Sequence, residues 1–135
     1  MCERPRISAA TFATRSCAKP RSNMPPDDRT RLQHIAEAAD LVLQFIKGRT
    51  RNDLDSDAML LLAVVRALEI IGEAANNVSA ETRANLPDLP WTQMIGMRHR
   101  LVHAYFDVNR DIVWSTATQA VPPLAERLKT LLGTP

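Results

Sequence analysis

From Asp27 onward the hydrophobic positions recur at helical steps. Leu32, Ile35, Ala36, Ala39, Val42, Leu43 and Ile46 lie three or four residues apart, with Arg31, Glu37, Asp40 and Lys47 elsewhere on the wheel. Pro26, Asp27 and Asp28 suit a helix start and Gly48 a stop. His34 on this helix reads as a surface residue. A polar linker, Arg49 to Asp57, offers Asp55 or Ser56 as a cap. The second helix, about Asp57 to Val78, is the most apolar element, with Leu60, Leu61, Val64, Val65, Leu68, Ile71 and Ala75 on a broad face. Arg66, Glu69, Glu73 and Asn76 form a narrow polar stripe along it. Gly72 lowers helix propensity by about 1 kcal/mol relative to Ala, which suggests that another backbone comes close there.

Ser79 to Asn85 reads as a short helical turn, and Pro87 and Pro90 punctuate the loop after it. Pro90 suits the first position of a further helix reaching about Tyr105. Asn109 is a good cap for the last helix, Arg110 to about Leu132, with Ile112, Val113, Ala117, Ala120, Val121, Leu124, Leu128 and Leu131 on its buried side. Pro122 and Pro123 remove amide donors from its middle, so a kink is expected. These elements predict an all-α fold: an up-and-down bundle of four main helices plus a short one.

Composition agrees with that class. Aromatics make up only 4% of the 135 residues, so Leu, Ile, Val and Ala must build the core, and these suit packed helices. The longest apolar run, Ala58 to Val65, is far short of the roughly 20 residues of a membrane helix, so no membrane association is expected. Charge divides the chain. Residues 1–24 carry a net +4 and residues 25–135 a net −2, so the body is not a generally basic nucleic-acid binder and any RNA contact must use a local basic site. Residues 1–26, with four prolines and no sustained hydrophobic period, are expected to be a disordered extension. An Arg-rich, acid-poor start resembles a transit peptide, but translation beginning at Met24 is the favoured account. The folded domain is then 27–135. Cys2 and Cys17 lie outside it and give no disulfide framework, which fits a cytoplasmic protein.

Candidate chemistry concentrates in Trp91 to Asp107, which holds two of the three histidines, the only tyrosine, two arginines and one of the two tryptophans. An arginine can hold a scissile phosphate and stabilise charge developing on it. A histidine can take the 2′-hydroxyl proton or protonate the leaving oxygen, and Tyr105 could orient the phosphate or stack on a base. Such a set could cleave RNA without a metal or other cofactor. Geometry poses a difficulty. On one straight helix Arg98 and Tyr105 share a face, but His103 stands about 140° from Arg98. Either the helix ends near His103 or a second copy of the chain completes the site. Two other readings stay open. His99, His103 and Asp107 fall at i, i+4 and i+8 and could bind a divalent metal, although the Glu of a zinc-peptidase motif is absent. Alternatively, Met94, Ile95, Leu101 and Val102 are core and the polar residues merely solvate a helix.

The arrangement Arg98-His99-Arg100-Leu101-Val102-His103-Ala104-Tyr105 resembles the signature of the HepT-like subgroup of HEPN domains: Arg, four residues, His, one residue, Tyr. Arg66 to Ala75 is similar to that family's second-helix motif. Pro90-Trp91, Ile95-Gly96-Met97, Phe106-Asp107 and Ile112-Val113-Trp114 are similar to its following segments. The likeness covers about Asp27 to Leu132. It implies a metal-independent endoribonuclease toxin of a type VII-like toxin–antitoxin system, homodimeric, with Arg98 and His103 as the catalytic pair in the cleft between protomers. It also implies a minimal nucleotidyltransferase antitoxin as partner, transferring AMP from ATP onto Tyr105; phosphate placed beside Arg98 would occupy the anion site and repel RNA. Two positions depart from the signature: His99 stands where the family usually has Asn, and Ala104 where it often has Gly. His99, with Arg66, Glu69 and Glu73, would support the cleft. The alternative within the family is a non-catalytic module that binds RNA, nucleotide or the partner enzyme.

Overall fold

The computed structural model describes residues 24–104 and 107–133, with the backbone alone at residues 98, 102–104 and 107. The elements run α1 (Pro26–Ile46), α2 (Asp53–Ser56), α3 (Ala58–Asn76), α4 (Ala80–Asn85), α5 (Trp91–Ile95), α6 (Met97–Leu101), β1 (Val102–Ala104), β2 (Asp107–Val108), α7 (Arg110–Ser115), a π-helical turn (Thr116–Ala120) and α8 (Val121–Leu132). The all-α class is observed, with one small antiparallel hairpin added. The first 23 residues, and with them the expected extension and both cysteines, lie outside the described residues.

Helices α1 and α3 form the central pair, and α8 packs on α1. Leu32, Ile35, Ala39 and Val42 of α1 are fully buried, as are Val64, Leu68, Ile71 and Ala75 of α3, so the 3.6-residue period does place these side chains in one core. Pro26 opens α1 without needing an amide partner, and Gly48, at φ +74°, takes the chain out of it. The linker differs from expectation in two ways. It contains the single turn α2, which buries Leu54, and the cap of α3 is Asp57, not Asp55 or Ser56. The Asp57 carboxylate accepts from the Leu60 amide at 3.1 Å and pairs with Arg49 at 3.2 Å. The Leu60 amide bond, the larger effect, and Arg49 outweigh partial burial and hold that carboxyl below its usual range.

The expected last helix is one rod in three parts. Pro122 and Pro123 have no amide to donate, and the chain widens into a π turn just before them, where the Val121 amide donates to the Thr116 carbonyl. Over the eight residues from Val113 to Val121 an α-helix would drift by about 80°. The wider turn takes up this drift and keeps Val113, Ala117 and Val121 all buried. It also turns Ala120 outward: Ala120 is exposed rather than buried as its spacing suggested.

Candidate active site on the broken helix after Pro90

The helix expected from Pro90 to about Tyr105 is not continuous. It breaks at Gly96 into α5 and α6, and α6 ends at Leu101. Strand β1 then pairs antiparallel with β2, Val102 opposite Val108 and Ala104 opposite Asp107, with an irregular register between. Leu101 is fully buried, and its carbonyl accepts from the Asn109 amide at 2.9 Å. Asn109 in turn accepts from the Ile112 amide at 3.1 Å and caps α7. A buried leucine and a capping asparagine thus pin the point at which helix becomes hairpin.

Arg98 therefore stands in α6 and His103 on β1. The first alternative raised by the wheel geometry, a helix ending near His103, is the one observed. The same break removes the helical face on which His99, His103 and Asp107 would have stood at i, i+4 and i+8, because His103 and Asp107 belong to the hairpin. His99 and Arg100 are exposed. Tyr105 and Phe106 lie outside the described residues.

The neighbouring polar stripe is only partly assembled. Arg66 is exposed, 3.7 Å from the half-buried Glu69. Glu73 lines a shallow hollow with Arg31, His34 and Asn77. On the wheel these three stripe residues sit about 60–120° round α3 from Gly72, and Gly72 is the position that faces Met94 and Met97. The stripe stands beside the α5–α6 segment, not beneath it. His34 is exposed, as expected of a surface residue.

Several residues hold this segment in place. Met94, Met97 and Leu89 are buried in the main core. The Trp91 indole N–H donates to the Leu86 carbonyl at 2.8 Å, tying the start of α5 to the preceding loop. Arg51 joins α2 to the first turn of α7, its guanidinium 2.8 Å from Asp111 and 3.2 Å from Asp55. The Asp111 hydrogen bond, the strongest influence, and Asp55 raise the pKa of Arg51 further above its already high value. No carboxylate forms an ion pair with Arg100 among the described residues, and no Asp or Glu occurs between Pro90 and Phe106. Arg100, together with Gln93 and Gln119, was not singled out by spacing. Its only signal in the sequence is that acid-free run.

The bundle thus carries Arg98 and His103 on either side of a helix-to-hairpin break, in an acid-free stretch. The Ribonuclease HepT-like family model matches residues 35–131, and the chain belongs to that family, an endoribonuclease by class. It is 38% identical over 104 residues to a candidate RNase of Caldanaerobacter subterraneus subsp. tengcongensis, covering 77% of this chain and 93% of that protein. It is 38% identical over 100 residues to the probable ribonuclease HepT of Thermococcus cleftensis, covering 74% of this chain and 91% of its relative. A candidate RNase of Methanocaldococcus jannaschii is 34% identical over 103 residues, with 76% and 94% covered. No solved structure matches the chain. Among the described residues no helix is long and apolar enough to cross a membrane.

Proposed function

We propose that this endoribonuclease cuts RNA without a metal, using Arg98 and His103, and acts as the toxin of a toxin–antitoxin pair. The observation that carries the reading is the end of α6 at Leu101, between the two residues. A straight helix would keep them about 140° apart; a turn into a hairpin removes that constraint. In the reaction a histidine takes the 2′-hydroxyl proton and the 2′ oxygen attacks the adjacent phosphorus. The bond from phosphorus to the 5′ oxygen then breaks, and the departing oxygen receives a proton. The ends left are a 2′,3′-cyclic phosphate and a 5′-hydroxyl. Arg98 binds the phosphate and stabilises the charge that builds on it. A second copy of the chain supplies the other proton-transfer group across a dimer cleft, with His99, Arg66, Glu69 and Glu73 supporting its walls.

Regulation follows from the same site. A nucleotidyltransferase antitoxin transfers AMP to Tyr105, and the added phosphate occupies the anion site at Arg98. This part of the reading rests on the Arg-x4-His-x-Tyr arrangement and on family membership.

The deciding experiment incubates the purified chain with RNA in EDTA. Cutting by the wild type, and its loss in Arg98→Ala and His103→Ala with folding intact, is expected. RNA bound but never cut would identify a non-catalytic module instead, and loss of cutting on chelation would point to a metal. An added AMP mass with the antitoxin and ATP, absent in Tyr105→Phe, tests the modification. A fully active monomer in light scattering would remove the composite site.

A further inference from the structure

Behind the candidate catalytic helix lies a second feature that cleavage at Arg98 and His103 does not use. A cavity of about 390 Å³ opens between the α5–α6 segment and the π turn with the start of α8. That volume is within the roughly 300–1,000 Å³ of small-molecule sites. Its floor is apolar: Met94, Met97, Val121 and Leu124 are each at most 5% exposed. Its rim is polar and exposed, with Gln93 and Arg100 on one side and Ser115 and Gln119 on the other. Ala120, turned outward by the π turn, forms part of the wall, and its small side chain leaves the space open.

We infer that this cavity is a base-binding subsite, holding one unpaired nucleotide of the RNA strand a few positions from the one cut at Arg98. The inference rests on the ribonuclease reading above and deepens it. Among the described residues Arg100 is the only charged one lining the cavity, and no described carboxylate is paired with it. No acid occurs in residues 90–106, nor in 112–125 on the opposite wall, so an anion meets no repulsion from either segment. Two glutamine amides at the mouth each carry a donor pair and an acceptor, the groups that read the hydrogen-bonding edge of a base. The exposed Pro90, Ala120 and Pro123 give the cavity wall an apolar surface against which its ring can lie. Phosphate to arginine, base edge to glutamine and base face to an apolar wall is a nucleotide's complement. Arg100 is two residues beyond Arg98 on the same short helix, about 3 Å further along its axis and about 160° round it. A strand held at Arg98 therefore crosses the short helix before it reaches the cavity, which places the nucleotide held there a few positions from the cut.

Binding is measured by fluorescence anisotropy of the full-length protein with a single-stranded 2′-O-methyl oligonucleotide, which cannot be cut, varying one base at a time. The wild type is expected to separate the four bases at one position by about tenfold, within the range of single-base contacts. Ala120→Trp, which fills the cavity from an exposed position, and the double variant Gln93→Ala/Gln119→Ala should flatten that preference with unchanged thermal unfolding. Arg100→Gln should weaken all sequences alike and lower the salt slope by about 0.7, the value of one phosphate contact on a single strand. Sequencing the ends of cleaved RNA provides the second arm, where Ala120→Trp should erase a base preference at one position near the cut. A wild type that cuts while Ala120→Trp keeps both its cut-site profile and its base discrimination overturns the subsite and leaves the ribonuclease reading standing. A wild type that discriminates bases but never cuts overturns the catalytic reading and leaves the subsite. Free mononucleotide competing as well as the oligonucleotide would overturn the assignment to an RNA strand.

Discussion

A side chain on Gly72 would collide with the carbonyl of Met94: a Cβ built there stands 2.8 Å from that oxygen. The C-terminal part of α3 and the last turn of α5 therefore approach as backbone against backbone. Gly72 lets the segment that carries Arg98 lie flat on the core, with Met97 next to the same position. A helical glycine that costs about 1 kcal/mol in propensity is retained where no other residue fits. Gly72→Ala is expected to destabilise the fold by about 1–3 kcal/mol, the usual range for overpacking. It should also lower RNA cleavage by more than the folded fraction explains, because relief requires moving α5 and α6. Urea denaturation beside cleavage rates corrected for folded fraction checks both. Full stability and full activity would show that the contact relaxes without disturbing the site.

Asp28, in the first turn of α1, makes a second fastening just beyond the C-terminal end of α3. It is 4% exposed, and its carboxylate accepts from the Ser79 amide at 3.1 Å, the Ser79 hydroxyl at 2.6 Å and the Thr82 hydroxyl. Burial alone would push the carboxyl up, but these bonds and the nearby Arg31 outweigh it and hold the group below the ordinary carboxylate range. A folded-state pKa below the unfolded one stabilises the fold fully above the unfolded value of about 3.9. That contribution is lost as pH falls through the lower folded value. Asp28→Ala should cost about 1–3 kcal/mol at pH 7 by stranding two hydroxyls and an amide. The gap between variant and wild type should narrow in acid. An equal gap at pH 7 and at pH 3 would mean that the charge plays no part.

Arg51 provides a contrast. It links Asp55 to Asp111 across two elements, but Asp55 is 56% and Asp111 85% exposed at the side chain, so solvent screens both pairs. Arg51→Ala is expected to change stability only slightly, and to do so less at 1 M salt than at 0.1 M. A larger loss by thermal unfolding, independent of salt, would assign Arg51 a packing role through its side-chain stem.

Much of the fold was legible because burial and period coincide. Every apolar position on the broad face of α3 is buried, and Gly72 could be read as a close approach because no other reason explains a glycine there. The break at Gly96 and the turn after Leu101 were not legible. Met94, Met97 and Leu101 keep a helical spacing of three and four residues, so periodicity ran through Gly96 and on toward Tyr105. What ends the helix is tertiary: the Asn109 amide takes the Leu101 carbonyl, a partner eight residues away that local pattern does not reveal. Ala120 was misplaced for a related reason, since a π turn adds a residue to the register without any marker except the prolines that follow. Of the candidate site, the residue types were readable from the chain. Their separation onto helix and hairpin was not.

Asn109 should then matter beyond its own helix. Its amide holds the end of α6 through Leu101, while its side chain accepts from the Ile112 amide at 3.1 Å and starts α7. Asn109→Ala leaves the first bond in place and removes the second, so about 1 kcal/mol of stability should be lost, the usual value of an N-terminal cap. Asn109→Asp should restore it, because a carboxylate caps as well and favours a helix N-terminus. Hydrogen exchange locates the effect. The Ile112 amide should lose protection in the alanine variant and recover it in the aspartate variant. Because Val108 pairs with Val102 immediately before the cap, loosened packing should reach the strand that carries His103. Under the proposed chemistry, cleavage by Asn109→Ala should fall several-fold and return in Asn109→Asp. Ile112 deprotected with cleavage unchanged would show that the hairpin holds its place without the cap.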